Sequence, residues 1–231
     1  MAFSLDQAVP WGRSFEEYRA MFALSEADLQ RRILGCGDGP AGFNREWTRR
    51  GGAVLSIDPL YACSAGAIAD RIAATYPEVM AQTRANAHEF VWDHIASVEA
   101  LGRVRMAAMR EFLADYPRGR AEGRYVEGGL PQLPYADGSF DLALCSHFLF
   151  LYSAHFPAEF HWASVRELCR VAAEVRIFPL LELGSARSRH LDGVLERLAG
   201  AGFAAEEIRV DYEFQRGGNR MLRIAPRIHQ R

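Results

Sequence analysis

Apolar and polar positions along the chain follow two rhythms. Ser14 to Leu24 carries apolar residues at helical spacing. Ser14 with Glu17 three residues later forms a capping-box start. Ser25 is placed to cap a second short helix through Leu29. Arg32 to Leu34 leads as a strand into a glycine cluster that begins at Gly35. Asn44 to Arg50 reads as helix, stopped by Gly51 and Gly52. Ala53 to Ile57 is a short apolar run closed by Asp58 and Pro59, which suits a buried strand.

The stretch 61–123 is helical by composition. Ile68, Ile72 and Tyr76 share one face; Val98, Leu101, Arg105 and Met109, with Met106 and Phe112, share another. Pro77 and Pro117 are expected to punctuate it. Tyr125–Val126 and Phe140 to Cys145 read as strands, Phe160 to Val171 as helix, Glu174 to Leu181 as strand, and Leu191 to Ala199 as an amphipathic helix. Near the C-terminus, 207–214 and 219–224 alternate, with Gly217 and Gly218 between them as a hairpin turn requires.

Strands alternating with helices predict an α/β protein with a mostly parallel sheet and helices on both faces. The terminal hairpin must be antiparallel, because a parallel pair needs a long crossover. One domain spanning 1–231 is expected, with 62–123 as a helical insertion or cap after the second strand.

Composition narrows the classes. The 231 residues are 49% hydrophobic and 24% charged, with a net charge of -2. That is enough apolar surface to offset chain entropy, so disorder is not expected. The absence of a basic excess argues against an electrostatic nucleic-acid binder. No apolar run is long enough to span a membrane, and Met1 to Arg13 lacks the pattern of a secretory signal. The four cysteines, Cys36, Cys63, Cys145 and Cys169, avoid the two-residue spacing of zinc and redox motifs, which points to reduced thiols and a cytoplasmic protein. His88, Glu89, Asp93 and His94 cluster without an H-E-x-x-H pattern, so no metal site is expected.

The informative order is strand, glycine loop, helix, strand, acid. Glycines between Gly35 and Gly42 let the backbone turn sharply and let a ligand approach it. Asp58, at the end of the next strand, is placed to accept hydrogen bonds from two ribose hydroxyls. Two ligands suit the loop. Gly37 to Gly42 matches the G-x-G-x-x-G dinucleotide pattern, which sets a pyrophosphate on a helix N-terminus. Asp38 and Pro40, the latter without an N–H, favour a ligand with no phosphate there, such as S-adenosylmethionine.

Leu34 to Ala41 followed by Ser56-Ile57-Asp58 resembles the first two motifs of class I S-adenosylmethionine-dependent methyltransferases. The resemblance aligns Gly35 with that family's acid and Gly37, Gly39 and Ala41 with its three glycines. Leu133-Pro134-Tyr135-Ala136-Asp137-Gly138-Ser139-Phe140-Asp141 is similar to the family's segment leading into the fourth strand. Just upstream, Gly128, Gly129 and Leu130 stand where the family often carries an acid that contacts adenine. The chain looks closest to a bacterial branch of this fold.

The resemblance implies a Rossmann-like fold and S-adenosylmethionine as cofactor, held by Gly35, Gly37, Gly39, Asp58, Pro59, Gly129, Leu130 and Ser146. His147, beyond the fourth strand, is the candidate catalytic base, because an imidazole titrates near neutrality. His155, His161 and Tyr152 are weaker candidates, and Arg13, with Trp11 and Tyr18 nearby, reads either as a solvated arginine beside packing aromatics or as a residue that holds a carboxylate. Enzymes of this fold that methylate base amines carry a polar-Pro-Pro-aromatic tetrapeptide where this chain has Cys145-Ser146-His147-Phe148, so a small-molecule acceptor is expected. Two other readings stand beside this one: a non-catalytic binding protein on the same fold, and an NAD(P)-dependent oxidoreductase.

Overall fold

The computed structural model describes residues 3–5 and 8–227. Its elements, in chain order, are α1 (Phe15–Met21), α2 (Glu26–Leu29), β1 (Ile33–Cys36), α3 (Phe43–Arg49), β2 (Val54–Ile57), α4 (Ala65–Ala85), α5 (Val98–Ala121), β3 (Tyr125–Val126), β4 (Phe140–Ser146), α6 (Ala158–Val171), β5 (Ala172–Phe178), α7 (Leu191–Gly200), β6 (Phe203–Arg209) and β7 (Arg220–Pro226). The strands form one seven-stranded sheet in the order β3-β2-β1-β4-β5-β7-β6. Pairings from β3 to β5 are parallel. β7 runs antiparallel to both of its neighbours.

The sheet is buried on both faces, as crossover connections demand. Leu34, Cys36, Ala143, Cys145, Val175 and Ile177 pack against Val165 and Leu168 of α6 and Val194 and Leu198 of α7. The alternate residues Ile33, Leu142 and Leu144 meet Phe15 and Tyr18 of α1 and Phe43 and Trp47 of α3 on the other face. Burial of residues 142–146 without a break follows from this two-sided cover. The expected α/β architecture is therefore the observed one.

Three local expectations are corrected. Pro77 and Pro117 do not break their helices: α4 and α5 run through them. A helix-interior proline costs about 3 kcal/mol, and burial on both sides offsets it. Ile72 and Met80 flank Pro77; Phe112, Tyr116 and Gly119 flank Pro117. The break falls instead at 86–97, between the two helices. β5 begins at Ala172, directly after α6, and stops at Phe178 because Pro179 has no N–H to continue the ladder. The hairpin is longer and shifted: Arg209 pairs with Arg220, and loop 210–219 replaces the tight Gly217-Gly218 turn. Phe214 leaves the ladder to stack on Phe90, with ring centres 4.9 Å apart.

The capping box at α1 forms as expected, with the Glu17 backbone donating to Ser14 Oγ and the Ser14 backbone donating to Glu17. The same carboxylate accepts from Arg105 Nη1 at 2.6 Å, and Arg105 is fully buried. A residue that the helical spacing placed on an apolar face is thus a buried cation with its own counter-charge. No helix among the described residues is long and apolar enough to cross a membrane.

Candidate functional site

A cavity of about 340 Å³ opens beyond the C-terminal ends of β1, β2 and β4. This is where ligands bind in open α/β sheets. Of the residues assigned to the cofactor or to catalysis, all but Gly35 line it: Gly37, Gly39, Asp58, Pro59, Gly129, Leu130, Ser146 and His147. Gly35 lies one step behind, inside β1.

Gly35 has another task. A Cβ there would sit 1.9 Å from Asp38 Oδ2. The bare glycine makes room for the Asp38 carboxylate to fold back against the strand. Oδ1 accepts from Tyr18 Oη at 2.8 Å and Oδ2 from Ser56 Oγ at 2.6 Å. Ser56 Oγ in turn accepts from Asn44 Nδ2. Burial pushes the Asp38 carboxyl up from an ordinary 3.8 to about 6, with the Asp58 charge adding to the rise. A buried carboxylate thus lies against the strand at position 35, carried by residue 38.

Gly37 and Gly39 both have positive φ, +69° and +53°, which is the reason for glycine at these two turns. Tyr61 Oη donates to the Gly39 carbonyl at 2.7 Å and pins the loop from below. Asp58 closes the same turn. Its Oδ2 accepts from the Gly39 N–H at 2.8 Å and its Oδ1 from the Leu60 N–H at 2.7 Å. Burial raises the Asp58 carboxyl, and these two N–H groups hold part of that rise back. Each carboxylate oxygen keeps acceptor capacity beyond these bonds.

The loop's own donors are largely spent. Gly37 N–H goes to the Ile57 carbonyl and Gly42 N–H to the Arg13 carbonyl, while Gly39 N–H goes to Asp58. Pro40 has none to offer. A pyrophosphate needs such N–H groups free, so this loop is poorly equipped to cradle one.

His147 follows β4 with φ +50°. That conformation is strained for a residue with a Cβ and is often found at functional sites. Its backbone N–H donates to the Phe178 carbonyl at 2.6 Å, and its Nδ1 lies 3.0 Å from Ser146 Oγ. Burial first, then the charges of Arg13 and Arg105, drives the imidazole well below its ordinary range, so it is neutral at physiological pH. The other histidines lie elsewhere. His161 is buried with both ring nitrogens against the Pro157 and Leu149 carbonyls, and His155 Nε2 meets the Leu5 carbonyl. Tyr152 lines the cavity and its hydroxyl accepts from the Val9 N–H.

Arg13 also lines the cavity. Its Nη1 donates to the Trp11 carbonyl at 2.7 Å, and its Nε is buried without a hydrogen-bond partner among the described residues. Glu17, the nearby carboxylate, is committed to Arg105. Two arginines thus share one carboxylate, and burial together with Arg105 lowers the Arg13 guanidinium to about 10. Among the described residues Arg13 makes no ion pair of its own, and a buried cation so placed favours an anionic ligand.

Sequence reasoning missed the roles of Tyr18, Tyr61, Phe90 and Phe214 here. Tyr18 and Tyr61 looked like packing residues, and their hydroxyl bonds to the loop leave no periodic signal. Asp38 had one usable signal, a carboxylate inside a glycine loop that follows a buried strand.

A curated relative matches nearly the full length: Uncharacterized protein MJ0045 of Methanocaldococcus jannaschii is 31% identical over 222 residues, 96% of this chain and 97% of that one. The chain belongs to the family of that archaeal protein. The resemblance in sequence suggests a bacterial branch, and this family member gives that placement no support. No protein-family model matches the chain. Among solved structures, magnesium protoporphyrin IX methyltransferase (ChlM) from Synechocystis PCC 6803, with SAH bound, superposes with a TM-score of 0.50 at 13% identity, covering 92% of this chain and 82% of that one. The 1,6-didemethyltoxoflavin-N1-methyltransferase of Burkholderia thailandensis gives 0.47 at 14% identity, covering 90% and 76%. At such identities the likeness is one of fold: this family has the Rossmann-like α/β fold seen in S-adenosylmethionine-dependent methyltransferases.

Proposed function

We propose that this protein is an S-adenosylmethionine-dependent methyltransferase acting on a small-molecule acceptor. The observation that carries the reading is the convergence of Asp58, the loop 37–39 and the pair Gly129–Leu130 on one cavity. The fit to the cofactor is specific in three respects. Asp58 retains acceptor capacity for two ribose hydroxyls. Gly129 and Leu130 bring main chain, without a bulky side chain at 129, to where an adenine edge would be read. Arg13 brings a guanidinium charge to the cavity lining, suited to a ligand carboxylate. The solved methyltransferases of this fold named above hold S-adenosylhomocysteine, which agrees with this assignment.

When bound, S-adenosylmethionine supplies a methyl group made electrophilic by its sulfonium. The chain's own residues position the reactants. Asp58 binds the sugar and ties it to the Gly39 turn. Ser146 Oγ lies 3.0 Å from His147 Nδ1 and fixes the imidazole. With Nδ1–H donated to that oxygen, Nε2 would serve the acceptor as a hydrogen-bond partner and a weak base, its basicity lowered by burial and by the Arg13 and Arg105 charges. Free cysteines at 36 and 145, aligned on neighbouring strands, support a reducing, cytoplasmic setting.

Spent donors in the glycine loop weigh against the NAD(P) reading. The buried Asp38 carboxylate weighs against a relic that has lost its acid. Thermal unfolding separates all three. S-adenosylmethionine and S-adenosylhomocysteine are expected to raise Tm, with no shift from NADH or NADPH. Protection by the dinucleotides alone would install the oxidoreductase instead. Protection by S-adenosylhomocysteine without methyl transfer to any acceptor extract would favour the binding protein.

A further inference from the structure

The same cavity has a second set of lining residues, a chamber wall outside the glycine loop and the strand ends. They come from outside the sheet: Phe3 in the N-terminal strap, Val79 on α4, Phe90 after the break between α4 and α5, Leu183 beyond β5, and Phe214 in the hairpin loop. The aromatic wall is fixed. Phe90 and Phe214 stack with 22° between their planes, and Phe3 meets Phe90 edge-on at 5.8 Å. Trp92 braces both rings from the side. Below them the backbones are tied: Val91 N–H donates to the Phe214 carbonyl at 2.8 Å, and Arg216 N–H to the Glu89 carbonyl at 2.8 Å.

Several polar groups in this lining already make bonds within the protein, while Arg71 of α4 makes none among the described residues and acts on Asp58 through its charge. Thr83 Oγ1 donates to the Val79 carbonyl, and Gln215 Nε2 donates to the Glu182 carbonyl. The Glu89 carboxylate accepts from the Phe3 N–H. The Tyr152 hydroxyl accepts from the Val9 N–H. A sugar or a peptide would bring many polar groups into this space and find few partners, at the cost of unpaired buried groups. A flat apolar body would lose nothing, and aromatic faces reward planar partners beyond area alone.

We propose that the methyl acceptor is a flat, uncharged ring system lying in this chamber against the Phe90–Phe214 wall, with its reacting heteroatom toward His147. This rests on the methyltransferase reading, which supplies the donor side of the cavity. The test is calorimetric titration of three probes, with and without S-adenosylhomocysteine: naphthol, its saturated analogue decalol, and naphthylmethylamine, which is cationic at neutral pH. Naphthol is expected to bind about tenfold tighter than either of the others, the scale of aromatic pairing converted to affinity. Phe214→Leu keeps the bulk and removes the ring; it should cost naphthol most of that advantage while leaving the dissociation constant of S-adenosylhomocysteine unchanged. Phe90→Leu repeats the test should the first variant unfold. Equal binding of naphthol and decalol, tighter binding of the amine, or indifference of naphthol to both variants would overturn the proposal. Failure of S-adenosylhomocysteine to bind would instead overturn the cofactor reading, and the naphthol titration without it still decides the chamber's preference.

Discussion

The cavity has one end built from strand termini and another built from segments the sheet does not hold. Around Asp58 the glycine loop and the two carboxylates are set by the ends of β1 and β2 and locked by short bonds: Tyr61 to Gly39, Tyr18 and Ser56 to Asp38, Asp58 to two N–H groups. Around Phe214 the wall is a stack of rings from distant parts of the chain, joined by few backbone bonds. The first end carries buried charge and fixed geometry. The second carries shape and apolar surface. Such a division lets an α/β scaffold keep one ligand site constant while loops set the other.

The sharpest break in this comparison is at the junction. His147→Asn keeps a residue that tolerates the left-handed backbone and removes the imidazole. It is expected to lower the methyl-transfer kcat by about 100-fold, the low end of the range for losing a general base, because burial has already weakened this one. Affinity for S-adenosylhomocysteine should stay as in the wild type. An unchanged kcat would make His147 a pocket-shaping residue only.

Next in size is the pH dependence of stability, where two buried carboxylates act with opposite sign. Burial holds Asp38 protonated up to about 6, against 3.8 for an ordinary carboxyl. The folded state therefore binds the extra proton between these values, and stability falls as pH rises through them, by as much as ~3 kcal/mol. Burial alone would raise Glu17 as well, but Arg105 overrides it and holds this carboxyl at about 2. Its contribution is present above an ordinary 4.5 and is lost as pH falls toward 2. Urea unfolding of the wild type and Asp38→Asn at several pH values checks this: the difference between them should change between pH ~4 and ~6. Parallel curves would mean that Asp38 titrates normally.

Gly35→Ala tests whether the Asp38 carboxylate depends on the bare strand. The added methyl meets Asp38 Oδ2 and has to displace it. A loss of about 1–3 kcal/mol in stability is expected, the usual cost of overpacking, with weaker S-adenosylhomocysteine binding. Stability equal to wild type would show the loop to be soft. At the other end the contrast should be plain: Phe214→Leu, on a half-buried ring, is expected to cost less than about 1.5 kcal/mol in urea unfolding, as a volume-conserving apolar exchange.

Legibility in the sequence follows the same division. Strand ends and the glycine loop announce themselves through local order, so Gly37, Gly39, Asp58, Ser146 and His147 are readable from spacing and resemblance, and all of them line the cavity. Gly35 was readable as a position but not as a role, because its meaning depends on a carboxylate folding back from 38. The strand at 172–178 was displaced in the sequence reading because apolar residues continue past Pro179, and pattern alone does not say where a ladder loses its donor. The hairpin was shortened because Gly217-Gly218 is a strong turn signal, while the competing pull of Phe90 on Phe214 joins residues far apart in the chain. Arg105 illustrates the same limit: helical spacing puts it on a buried face, and only the fold brings Glu17 to meet it.

The most direct test of the account is calorimetric titration of S-adenosylhomocysteine into the wild-type protein and into Asp58→Ala. Saturable binding is expected in the first, weakened in the folded variant by about 1–3 kcal/mol, the cost of leaving polar groups unpaired, or roughly 5- to 150-fold in the dissociation constant. No heat at millimolar ligand in the wild type, or equal affinity in the two proteins, would contradict the placement of a nucleoside between Asp58 and the glycine turn.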